Sequence, residues 1–304
     1  MTYSIVARDP ITGFMGVAVQ SHYFAVGRVV TWAEAGVGAV ATQSIPEPAY
    51  GPRGLDRMRS GDSAPAALEA LLDADPLRGL RQVAMIDANG ETAVHTGDGC
   101  LAAAGHAVAR EVSVQANLME RNTVWRAMLR GFEDSQGREL WWRLLAALEA
   151  AECEGGDLRG KQSAALLVVS GSRSEAPWAQ RLVDLRVDDH PDPLAELRRL
   201  LDLDRAFDRL GQLFVGGLLF EPIRADAPEL ERALGELEAA QQVLGANREP
   251  TFWQAVLLAK AGRLDDARER LRHACETNPR WPLLIGRLVP AGILSRDAAA
   301  LGKT

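Results

Sequence analysis

Cysteine, histidine and lysine are thinly spread in this chain, and their scarcity removes several functions before any motif is read. Only three cysteines occur, Cys100, Cys153 and Cys275, far apart in sequence. An odd, scattered set gives no disulfide framework and fits a reducing compartment. The five histidines (His22, His95, His106, His190 and His273) include no His-x-x-x-His or Glu-x-x-His pair. No metal or other cofactor is therefore expected. There is no dense run of Lys and Arg flanked by aromatics, and the formal net charge is -7. General nucleic-acid binding needs a basic face and is excluded on that ground. No apolar stretch is long enough to span a bilayer; Phe214 to Phe220 is short and glycine-rich. The opening Met-Thr-Tyr-Ser-Ile-Val-Ala-Arg has neither a basic leader nor a long apolar run, so a signal peptide is not expected and the protein is expected in the cytoplasm.

What is present suits a globular protein. The 304 residues are 47% hydrophobic and 25% charged, enough for one large domain and a smaller one. Thr2 to Arg8 and Gly16 to Gln20 are β-rich and are joined by Asp9-Pro10-Ile11-Thr12-Gly13, which predicts a hairpin. Gly36 to Ser44 reads as a further extended stretch. Pro52 to Ser60 and Ser63 to Asp73 read as short amphipathic helices, the second opened by Ser63 as N-cap. A hairpin is expected from Gln82 to Ile86 and Glu91 to Thr96, turning at Asp87-Ala88-Asn89-Gly90, and another strand from Glu111 to Leu118. Helices are expected over Thr123 to Phe132 and Glu139 to Ala151, then strands over Ser163 to Ser170 and Leu182 to Val187. Hairpin blocks separated by helix pairs indicate an α+β fold with antiparallel sheet, not alternating βαβ units. From pattern alone, two stacked sheets between helical layers and a simpler two-layer fold both satisfy this order.

After Asp192-Pro193 the chain reads as helix to its end. Ala255, Leu258, Ala259, Gly262, Ala267, Leu271 and Ala274 are spaced as in the second half of a tetratricopeptide unit, with Gly262 at the turn. Gly216-Gly217 and Pro222 interrupt the helical pattern and place the expected domain boundary between Phe214 and Asp226. The expected domains are thus 1–213 and an all-α 227–304.

Thr2 is the most informative single residue. Methionine is usually trimmed before a small residue, which would make Thr2 the first residue of the mature chain. A terminal threonine carries a hydroxyl nucleophile and an amine of pKa about 8 that can take its proton.

Several runs carry a resemblance: Thr2-Tyr3-Ser4-Ile5-Val6-Ala7-Arg8-Asp9-Pro10 with Thr12-Gly13 and Gly16-Val17-Ala18-Val19; Phe24-Ala25-Val26-Gly27; Glu34 to Gln43; Pro48-Ala49-Tyr50-Gly51; Thr96-Gly97 with Cys100; Ser113-Val114-Gln115 with Asn117; and Asp184 to His190. Together they resemble the family known as domain of unknown function 1028, in order, from Thr2 to about Leu201. That family is similar to the N-terminal-nucleophile (Ntn) hydrolases. The resemblance implies a four-layer αββα sandwich of antiparallel sheets and, where activity is present, hydrolysis of a small amide or peptide bond. It implies Thr2 as nucleophile, its α-amine as base, and Asn117 as amide donor to the oxyanion, against the alternative that Asn117 caps a strand edge.

Ser21 and His22 follow the second strand and are expected to support the terminus or to hydrogen-bond within their loop. Tyr50 and Arg53 begin a helix where an anion could be held, unless Arg53 pairs with a surface acid. Cys100 reads as a pocket thiol or as a small buried hydrophobe. One departure from the pattern matters: no lysine precedes Lys161, so the lysine of proteasome-type sites is lacking. Two functions are therefore carried forward, an amidohydrolase acting through Thr2 and a catalytically silent ligand-binding or scaffolding protein. The tail also resembles a segment assigned to peptidoglycan binding in some relatives. It is expected to pack on the core or to join a second copy of the chain.

Overall fold

Asp9 turns the first hairpin. Its Oδ1 accepts the amides of Ile11 at 2.8 Å and Thr12 at 3.4 Å, and Gly13 takes the positive φ of +74° that closes the turn. The computed structural model describes residues 2–215, 217–298 and 301. Met1, whose removal the Thr2 reading requires, and Gly216, read above as part of the domain break, lie outside the described residues.

The strands and helices follow in this order: β1 (Thr2–Arg8), β2 (Met15–Ser21), a single turn α1 (Gly27–Val30), β3 (Thr31–Glu34), β4 (Gly38–Ser44), α2 (Tyr50–Arg59), α3 (Ala64–Asp73), β5 (Arg81–Asp87), β6 (Thr92–Thr96), β7 (Gly105–Ala109), β8 (Val112–Asn117), α4 (Val124–Asp134), α5 (Leu140–Cys153), β9 (Ser163–Val169) and β10 (Arg181–Val187). One sheet has the order β10-β9-β2-β1-β8-β7 and the other β3-β4-β5-β6. All pairings are antiparallel.

The sheets stack face to face. Val6, Val17, Val19 and Leu167 of the first pack on Ala39, Ala41, Ala84 and Ile86 of the second. Small residues at the facing positions allow the close spacing of stacked sheets. Helices α4 and α5 cover the outer face of the six-stranded sheet, while α2 and α3 cover the other. The fold is a four-layer α+β sandwich. Gly131 lets α4 approach α5 closely, since a Cβ there would sit 2.6 Å from that of Ala150.

The chain divides into two compact units, Met1–Leu200 and Leu201–Thr304. The division falls inside α6 (Pro193–Val215), upstream of the interval 214–226 read from the glycines. In the second unit, α7 (Pro228–Leu244), α8 (Glu249–Lys260), α9 (Leu264–Cys275) and α10 (Trp281–Leu288) enclose their own core. Phe252 stacks on Trp281 at 4.6 Å, and Gly262 (φ +79°) turns α8 into α9. Among the described residues no helix is long and apolar enough to cross a membrane.

Candidate functional site

Strand alternation directs Thr2, Ser4 and Val6 of β1 toward the second sheet, and Tyr3, Ile5 and Ala7 toward α5. The inward row changes character along its length. Val6 belongs to the apolar inter-sheet core, Ser4 accepts the Gln115 amide at 2.6 Å, and Thr2 ends the row. The polar end of the sandwich is therefore the Thr2 end.

Register decides what meets Thr2. It lies opposite Ser21 of β2 on one side and Asn117 of β8 on the other. Three of the sequence-expected residues thus share one row across the middle of the sheet. The Thr2 hydroxyl donates to Ser21 Oγ at 3.0 Å, and Asn117 Nδ2 approaches the Thr2 carbonyl at 3.4 Å. Thr2 is 4% exposed, and Ser21 and Asn117 are fully buried.

Two glutamines that sequence reasoning missed complete the arrangement from the opposite sheet. Gln43 of β4 donates from Nε2 to the Thr2 carbonyl at 3.2 Å and to Gln82 Oε1 at 2.7 Å. Gln82 of β5 accepts from Asn117 Nδ2 at 2.8 Å and donates to Thr96 Oγ1, Gly105 O and Ala116 O at 3.0 to 3.2 Å. Thr96 Oγ1 in turn lies 2.9 Å from His106 Nδ1, whose pKa is pushed down by burial and by nearby His95. In this network Asn117 Oδ1 and Gln43 Oε1 are buried acceptors without a donor among the described residues. Such atoms are costly and few in native proteins, and they concentrate where a structure is built for something other than stability. A signal for both glutamines did exist in the sequence. Each occupies an inward position on a strand whose other inward residues are apolar (Ala39 and Ala41 before Gln43, Ala84 and Ile86 after Gln82).

The backbone beside this row is also unusual. Ser44 (φ +75°) directly follows Gln43, and Leu118 (φ +54°) directly follows Asn117. Left-handed non-glycine residues cost on the order of 1 kcal/mol or more each and gather at functional sites.

The remaining expected residues lie elsewhere. His22 does not join the row: it is exposed, and its backbone amide is anchored on Asp157 Oδ2 at 3.3 Å, because the chain leaves the strand after Ser21. Tyr50 is buried and directs its hydroxyl to Asp75 at 3.1 Å, away from Thr2. Arg53 is exposed on the rim of a small cavity of about 220 Å³ shared with Glu47, Tyr50 and Asp75. Asp75 itself bonds Arg81 Nε at 2.8 Å, and that bond holds its carboxyl below the usual range. Cys100 is half-buried and donates from Sγ to the Arg81 carbonyl at 3.4 Å, next in sequence to Gln82. Lys161, the first lysine, pairs with Asp192 at 3.3 Å, and His190 Nδ1 accepts the Asp192 amide. Among the described residues no three His, Cys, Asp or Glu side chains gather as a metal site would need.

The sandwich has relatives among known proteins. The chain belongs to the family of unknown function DUF1028, whose model matches residues 2–197. It is similar to protein SPO2555 from Silicibacter pomeroyi, whose crystal structure is assigned to the same family. The two are 32% identical with a TM-score of 0.59, over 66% of this chain and 87% of that one. No curated protein matches the chain.

Proposed function

We propose that the chain is an N-terminal-nucleophile hydrolase that cleaves a small amide or peptide bond through Thr2, once Met1 has been removed. One observation carries the reading: the Thr2 hydroxyl stands 3.0 Å from that of Ser21, at the first position of a central strand, with its carbonyl approached by the amides of Asn117 and Gln43. In this scheme the Thr2 oxygen attacks the substrate carbonyl carbon while its proton passes to the α-amine. The developing oxyanion accepts a hydrogen bond from Asn117 Nδ2, whose second N–H now makes only the long 3.4 Å bond to Thr2 O. As the intermediate collapses, the C–N bond breaks, and the leaving amine takes the proton held by the α-amine; water then hydrolyses the Thr2 ester, which releases the acid and restores the hydroxyl. Ser21 orients the hydroxyl, and Gln82 holds Asn117 by the shorter 2.8 Å bond. A cytoplasmic setting, where Cys100, Cys153 and Cys275 stay as the free thiols they are, suits this scheme.

The test is a mass measurement followed by kinetics. Intact mass must show loss of Met1, and a library of small amides, lactams and γ-glutamyl compounds must yield a substrate whose turnover disappears in Thr2→Ala and persists in part in Thr2→Ser. A retained Met1 overturns the scheme.

A second reading has its own observation. Thr2 is only 4% exposed and the Asn117 amide is already bonded on both hydrogens, as in a fold that keeps the site without turnover. Absence of turnover on every substrate, with Thr2 confirmed as the first residue, selects that silent ligand-binding role.

A further inference from the structure

At the end of β1 away from Thr2, the hairpin turn after Arg8, the start of β8 and the α4–α5 connection enclose a cavity of about 550 Å³. This is the size of a small-molecule pocket. Its apolar walls include Ile11, Phe14, Val112, Phe132 and Leu140. β1 has seven residues, so at roughly 3.3 Å per residue the cavity lies about 20 Å from the Thr2 row. It is a separate place on the molecule, independent of the hydrolase reading.

Arg143, in the first turn of α5, also lines this cavity. Its guanidinium lies 3.9 Å from the centroid of the Phe132 ring. Among the described residues it has no ion pair and no hydrogen bond, and its Nε is buried without a partner. Two of the four acids that line the cavity are otherwise engaged. Glu111 pairs with Arg8 at 2.7 Å and lies 3.7 Å from Arg110, and Asp9 Oδ1 is used by its own turn. Burial holds the Arg143 guanidinium below its ordinary value, with Asp9 pulling the other way.

A guanidinium is a rigid fork of five donors and stays charged in proteins. Stacking on one ring leaves the buried Nε–H unanswered. A carboxylate can accept from such a fork in two parallel bonds. Four arginines and four acids line the cavity, so its overall field is near neutral. A doubly charged phosphate gains little there, whereas a single carboxylate matched to one fork gains most.

The geometry points to a binding site at this end of the sandwich for a small carboxylate with an apolar, aromatic body, held by Arg143 and enclosed by Phe14, Phe132 and Leu140.

Titration calorimetry of the full chain with phenylacetate, 2-phenylacetamide and phenyl phosphate tests this. Phenylacetate should bind saturably below about 10 mM, and at least about tenfold more tightly than the uncharged amide, the worth of one charge-assisted pair. Arg143→Met keeps an apolar stem on Phe132 and should reduce that preference to near unity. Thr2→Ala should leave phenylacetate binding unchanged. Equal binding of acid and amide, a preference that survives in Arg143→Met, tighter binding of phenyl phosphate, or no binding of phenylacetate each overturns the assignment. Should Arg143→Met fail to fold, the acid-to-amide ratio in the unaltered protein decides alone.

Discussion

Thr2 and Ser21 face one another across the β1–β2 ladder with their hydroxyl oxygens 3.0 Å apart, both buried between the sheets. A terminal hydroxyl in solvent would contribute little to stability, but a buried and bonded one does contribute. Thr2→Ala should lower unfolding free energy by about 1 kcal/mol, the net worth of one hydrogen bond, and Ser21→Ala by a similar amount. Because the two remove the same bond, the double variant should cost less than the sum of the singles. Urea melts of the four proteins measure this, and strictly additive losses would mean that the bond does not stabilise the fold.

How much of this was legible in sequence depended on pattern strength. The β1–β2 hairpin, β5, β6, β8, β9, β10 and helices α2 to α5 fall within about two residues of the alternation and capping signals, the usual fraying of element ends. Short β3 (Thr31–Glu34) and β7 (Gly105–Ala109) were not legible. Four or five residues carry too little alternation, and neighbouring strands hold them in place more than their own propensity does. Of the candidate site, Thr2, Ser21 and Asn117 could be read from one end of a hairpin and a motif. Gln43 and Gln82 stand out in sequence only as polar residues in otherwise apolar inward rows; what they bond to follows only once the facing sheet is known. Of the two roles the sequence allows His22, the loop position is the one its placement agrees with, because adjacency to Ser21 does not survive the bend that follows β2.

Gln82 should be the keystone of the buried network. Its side chain serves five partners: it accepts from Gln43 and Asn117 and donates to Thr96, Gly105 O and Ala116 O. Gln82→Ala leaves several of these without a counterpart, at about 1–3 kcal/mol for each group that water cannot reach. We expect a loss of about 3 kcal/mol, well above that of Thr2→Ala, measured by chemical denaturation. Gln82→Glu should be nearly as damaging, since a carboxylate cannot donate to three oxygens. A variant as stable as the parent would show that the network is satisfied in some other way.

Asp87 joins two elements that the sequence treats separately. Its Oδ2 accepts the Ala64 amide at 2.8 Å at the start of α3, and its Oδ1 accepts the amides of Asn89 at 2.9 Å and Glu91 at 3.1 Å in the β5–β6 turn. Ser63, expected as the N-cap, makes only a 3.5 Å bond to Ala66, so Asp87 supplies the closer acceptor. Asp87→Ala should destabilise the protein by about 2–4 kcal/mol, as for a buried cap lost together with a turn. Asp87→Asn, which retains one acceptor oxygen, should recover part of that loss. Thermal melts of both variants check the order, and equal losses would mean that only the carboxylate's charge matters.

Two of the three tyrosines should make the protein sensitive to alkali in a way a single substitution can halve. Tyr3 is fully buried and donates to Glu152 Oε2 at 2.7 Å; burial first, then the charge and hydrogen bond of Glu152, push its ionisation well above the ordinary range. Tyr50 is raised as well, by burial and by its bond to Asp75, against the opposing charge of Arg81. In the unfolded chain both phenols ionise near pH ~10. Below that pH both states hold the protons, and the tyrosines add no pH dependence. Above it the unfolded chain releases protons that the native state keeps, so stability falls as pH rises until the native values are reached. Each tyrosine should contribute a slope of about 1.4 kcal/mol per pH unit once the unfolded phenol is ionised. Urea melts from about pH 9 to about pH 12 should therefore show Tyr3→Phe losing stability with pH about one such slope more gently than the parent. Tyr3→Phe also removes the Glu152 bond and should start about 1 kcal/mol lower, so the two curves converge at high pH. Parallel curves would mean that Tyr3 ionises in the folded protein as it does in the unfolded chain.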